Sequence, residues 1–146
     1  MDELLKSSRS EIVSLFNDEL TTFLSELLKI FGNLDKEKAA LNKLSTYKNL
    51  IHTGLYANKE SGIEMFSGYI LSKGNEEFSS RISNKDYEFF YELSSNTTTS
   101  NKFTDIIMII KNLFIQLDIN NKESIFGYLD NLCSLSNIYA IKKLTK

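Results

Sequence analysis

Few residues of this chain have side chains suited to catalysis. There is one cysteine, Cys133, and one histidine, His52. A thiol beside an imidazole is a familiar nucleophilic pair, but no motif ties these two together. Cys133 falls near the apolar face of a helical pattern, where a cysteine packs as a small hydrophobe. His52 falls at the polar end of another, where an exposed or capping imidazole is expected. Zinc needs three or four ligands at motif spacing, and one Cys with one His do not supply them. No metal and no cofactor are expected.

Carboxylates are the other candidates for acid–base work. Glu76 and Glu77 are adjacent, so on a helix they point about 100° apart and do not converge. Of the Asp86, Glu88 and Glu92 group, Asp86 and Glu88 belong to a helix start, where acids complement the helix dipole. Asp118, Asn120 and Glu123 lack the offsets and the central glycine of a calcium loop. Gly62 and Gly68 are isolated, and no Gly-x-Gly-x-x-Gly or P-loop pattern is present. These readings converge on no catalytic residues.

The elements that would position these groups read as helices. The chain has 146 residues, 42% apolar and 25% charged, and no proline. Without proline, the strongest helix breaker is missing, and the helical period dominates. From Ser10, a candidate N-cap, to Phe31, the apolar set Val13, Phe16, Leu20, Phe23, Leu27 and Phe31 steps by three and four. Gly32-Asn33 ends that helix. A second runs from Asp35, its cap, to Thr53, with Gly54 as its stop. A third covers Asn58 to Leu71, weakened at Gly62 and Gly68 by about 1 kcal/mol each. Residues 75–93 are the least regular: Glu76 to Ile82 is one short turn, and Ser83 with Asp86 resembles a capping start for a helix from Asp86 to Leu93. Ser94 to Asn101 is polar and of low complexity, hence a surface loop. Lys102 to Leu117 is apolar nearly all round and so is expected at the centre. Asn121 to Leu144 closes the chain. The expectation is all-α: a single domain over residues 1–146, one compact bundle of five or six helices.

Charge and length exclude further classes. The net charge is −2, so no chain-wide basic footprint for nucleic acid exists. Lys36, Lys38, Lys43 and Lys48 could form a weak stripe, but Glu37 and the overall acidity favour a solvated face. Nucleic acid is not the expected partner. No apolar run approaches the roughly 20 residues of a membrane span. The Met1-Asp2-Glu3 start lacks the positive end of a secretory signal, so the Asn96-Thr97-Thr98 sequon is expected to stay unused and the protein is not expected to be secreted. A lone cysteine fits a reducing compartment.

Aromatic residues are plentiful, ten phenylalanines and seven tyrosines, without tryptophan. Tyr87, Phe89, Phe90 and Tyr91 exceed what one amphipathic face can bury. Large rings, some with polar tips, anchor interfaces, so these four residues are the candidate protein-contact site.

Three stretches carry a resemblance. They are Leu15-Phe16-Asn17-Asp18-Glu19-Leu20 with Phe23 and Leu27 to Phe31; Ile82 to Phe90; and Ile110 to Phe114 with Gln116-Leu117 and Asn121 to Leu129, ending near Leu135-Ser136. In order and spacing the chain resembles small all-helical proteins of nucleocytoplasmic large DNA viruses, the giant viruses of algae and protists. The resemblance implies a non-enzymatic viral protein acting through protein–protein contacts, with a minor virion or capsid-associated component as the leading expectation. It implies the host cytoplasm, the virus factory or the virion as location, and a viral structural or host protein as partner, with a homo-oligomer left open. The alternatives are a host-directed modulator that holds a host helix in a groove, and a nucleic-acid-associated factor.

Overall fold

The computed structural model describes residues 2–34, 38–93 and 102–144. The elements are α1 (Asp2–Leu5), α2 (Arg9–Gly32), α3 (Lys38–Ala57), α4 (Ser61–Ser72), α5 (Asn75–Ser83), α6 (Tyr87–Glu92), α7 (Lys102–Phe114) and α8 (Ile119–Leu144). Among the described residues there is no strand. Since α1 is a single turn, seven longer helices follow it, more than the five or six expected. The Asp35 cap and the polar segment 94–101 lie outside the described residues.

The extra helix comes from residues 75–93. Asn84 caps α5, and Lys85 takes a left-handed φ of 56°. The amide of Lys85 donates to the Ile82 carbonyl and that of Asp86 to Arg81, a Schellman ending. Asp86 then starts α6, its carboxylate accepting from the Phe89 amide. Asn75–Ser83 is thus a full helix where one short turn was expected, and the break that separates it from α6 is unmarked by glycine.

Other boundaries shift for local reasons. The cap of α2 is Ser8, not Ser10: the Ser8 hydroxyl accepts from the Glu11 amide while the Glu11 carboxylate accepts from the Ser8 amide. This is a reciprocal capping box. Gly54 does not stop α3, which continues to Ala57. A helical glycine costs about 1 kcal/mol but blocks no hydrogen bond, and the Gly54 carbonyl accepts from the Asn58 amide. Gly62 has a use the sequence did not show. A Cβ there would lie 3.0 Å from Leu55 Cδ2 and 3.3 Å from Leu20 Cδ2. The bare Cα therefore lets α4 approach α2 and α3.

The two longest helices, α2 and α8, share the largest packed surface, and α3 and α4 also pack on α2. At 1.5 Å per residue they are about 36 and 39 Å long. The expected centre, α7, instead packs on α3 and α4. Its Met108 and Ile109 are half-buried, and Ile115 just past its end is 74% exposed. One continuous cluster of buried side chains draws on every helix from α2 onward.

Candidate functional site

The four aromatics singled out from the sequence all pack against the core. Phe90 is fully buried and Phe89 nearly so, while Tyr87 and Tyr91 are half-buried. Phe114 of α7 gathers Phe90 at 4.9 Å, Tyr87 at 5.6 Å and Tyr91 at 5.8 Å between ring centroids, with Phe126 of α8 at 5.6 Å. Phe89 faces the other way, onto Phe78 at 5.8 Å, with the Arg81 guanidinium over its ring. The surplus of rings is absorbed because α6 is wedged between two packed groups rather than laid on one surface. Phe89 and Phe90 thus offer a partner no surface; only Tyr87 and Tyr91 retain one.

Cys133 and His52 are not brought together. Cys133 is buried, its thiol near Ser79, and burial pushes it up to about 12. A thiol with that pKa is not ionised at neutral pH. His52 is exposed on α3, its ring edge-on to Tyr56 at 6.3 Å. Asp86 and Asp118 are helix caps, Asp118 accepting from the Asn121 amide at 2.8 Å. Among the described residues no group of three His, Cys, Asp or Glu side chains is placed to hold a metal ion.

The most connected polar group of the molecule is one that sequence reasoning did not assemble. Tyr139 of α8 is buried, and its hydroxyl lies 2.7 Å from Glu64 Oε1 and 3.0 Å from Glu60 Oε2. Arg9, the first residue of α2, donates Nε and Nη2 to the two oxygens of Glu60 at 3.0 and 2.8 Å. Its guanidinium lies over the Tyr139 ring at 5.3 Å. Lys143 donates to Glu64 at 2.7 Å. Lys142 reaches the Leu5 carbonyl at 2.7 Å, which ties α1 to the same end.

Each carboxylate therefore has a cation. Glu60 is held below the usual carboxylate range chiefly by the Arg9 hydrogen bonds, and Glu64 chiefly by Lys143. Burial, then the two carboxylates, push the Tyr139 hydroxyl well above its ordinary value. A tyrosine held protonated between neutralised acids is a poor proton shuttle. The group works as a clasp joining the starts of α2 and α4 to the end of α8. Its sequence signal is faint, since Tyr139 is spaced like any buried step of α8.

Two shallow depressions adjoin the clasp. One, of about 610 Å³, is lined by residues including Arg9, Ser14, Asp18 and Lys59. Its neighbour, of about 290 Å³, shares Asn17, Asp18 and Lys59 and adds Thr21, His52, Leu55 and Tyr56. A third, of about 230 Å³, lies between α1, α2 and α8 and is lined by Leu4, Leu15, Leu135, Glu19, Asn131 and Ser134. No helix among the described residues is long and apolar enough to cross a membrane. No family model, no curated protein and no solved structure matches the chain.

Proposed function

We propose that this is a non-catalytic helical protein that acts through protein–protein contacts. One observation carries the reading: the depression lined by Leu4, Leu15 and Leu135 together with Glu19, Asn131 and Ser134. Leu15 there and Leu5 beside it are each 43% exposed. Contact sites combine apolar and polar groups, and the three leucines suit an apolar side chain of a partner protein. The commitment of Cys133, Asp86, Asp118, Glu60 and Glu64 to burial, caps and ion pairs supports the non-catalytic part. The viral setting, as a minor virion or capsid-associated component, rests on the resemblance of the three sequence stretches.

The test compares purified virions with infected-cell lysate by quantitative mass spectrometry, normalised to the major capsid protein, for the wild type and a Leu15→Glu variant. A fixed copy number per particle that the variant loses supports the reading. Absence of the wild type from particles removes the virion assignment, and equal incorporation of the variant removes the depression.

A further inference from the structure

The chain carries 19 carboxylates in 146 residues, and none falls among the twenty of α3. That helix carries Lys38, Lys43, Lys48 and His52, and Lys59 follows just beyond its end. Among the described residues the ammonium groups of these four lysines make no ion pair. Arg9, Arg81, Lys29 and Lys143 are all paired. A protein of net charge −2 thus keeps one helix free of acids, and among the described residues its lysines make no ion pair.

The geometry of that helix adds a second feature. Lys48, His52 and Tyr56 are four residues apart and share a face. Lys38 lies about five turns before Tyr56, which returns it to the same side about 27 Å away. Tyr56 is 90% exposed, the most exposed of the large apolar side chains. Between these groups the exposed face carries the polar side chains Asn49 and Thr53; the half-exposed Leu50 lies about 120° round the helix from Tyr56. At the Tyr56 end the row meets Lys59 and the depression beside α2, where Asp18 is the one carboxylate among the lining residues.

We infer that this face of α3 binds single-stranded nucleic acid. Lysines supply contacts to successive phosphates, and an exposed ring offers a base a surface on which to stack, a sequence-tolerant arrangement. A membrane surface would call for several apolar side chains on the same face; Tyr56 stands there singly, with Leu50 turned away from it. An acidic peptide would use the lysines but leave Tyr56 without a role. This face is distinct from the depression between α1, α2 and α8, so either assignment can fail without the other.

The test is fluorescence anisotropy of labelled oligo(dT) and oligo(U), about 12 nucleotides long, titrated with the full chain across a salt series. Binding should weaken with salt at a log–log slope of about −2, as three phosphate contacts on a single strand give. Tyr56→Ala should weaken it about tenfold and Tyr56→Phe should restore it, since stacking needs the ring and not the hydroxyl. The Lys48→Glu/Lys59→Glu double variant should weaken it more and flatten the slope. Circular dichroism shows whether each variant is folded. No binding by folded wild type at low salt overturns the proposal. So does binding that Tyr56→Ala leaves intact, or equal competition by polyglutamate, which would make this a site for acidic chains.

Discussion

The two ends of α8 are held by opposite means. Toward its start, Phe126 joins Phe114, Phe90 and Tyr87 in a group of rings whose centroids lie 4.8 to 5.6 Å apart. Toward its end, Tyr139 is fixed by a hydroxyl, two carboxylates and two cations. The first end draws its stability from area removed from water, which salt and moderate pH leave alone. The second depends on charge and is exposed to both. One helix therefore has a permanent anchor and one that conditions can loosen.

The largest effect should come from the permanent end. Phe114→Ala removes the ring shared by four others and should cost about 3–5 kcal/mol, as a urea midpoint shift equal at neutral pH and in mild acid. A loss that depends on pH would deny the contrast between the ends.

At the clasp the sign is set by the lowered carboxylates. Glu60 and Glu64 titrate below their ordinary value of 4.5 in the folded protein. As pH falls, the unfolded chain binds their protons first, so the stability they give is full above 4.5 and is lost as pH drops through the folded values. Glu60→Gln/Glu64→Gln should lower the midpoint at neutral pH and flatten its fall in acid. An acid limb as steep as the wild type's would show that other carboxylates set it.

The smallest effect concerns an unpaired hydroxyl. Tyr69 is 1% exposed, and its hydroxyl has no hydrogen-bond partner among the described residues. Its ring packs edge-on to Phe78 at 5.7 Å. Tyr69→Phe keeps the ring and removes the unsatisfied group, so it should stabilise by about 1 kcal/mol, read as a raised thermal midpoint. A lower midpoint would mean that the hydroxyl has a partner after all.

Much of the helical content was legible in the sequence, because spacing by three and four is a local property. The buried row Phe16, Leu20, Phe23 and Leu27 of α2 follows that spacing residue by residue, whereas the capping start read at Ser83 with Asp86 falls one turn later: Ser83 ends α5 and Asp86 is itself the cap of α6. Ser8 was missed in favour of Ser10, although its partner Glu11 was seen in the first turn. Gly54 was overvalued as a stop because a glycine weakens a helix without ending it. The rings of α6 were read as surplus because one helix face was counted, not the two groups that meet there.

The sequence by itself determined that the chain is helical, where most helices lie and which residues are apolar. It also determined an acid-free stretch from Lys38 to Ala57, since charge order along a chain needs no fold to be read. Only the tertiary structure decided which helices are neighbours, that α2 and α8 rather than α7 share the largest packed surface, and that Arg9, Glu60, Glu64, Tyr139 and Lys143 form one group. These residues are far apart in sequence, and hydrogen bonds of about 3 Å between them exist only once packing has brought α2, α4 and α8 to the same end of the molecule. Local periodicity carries no information about that meeting.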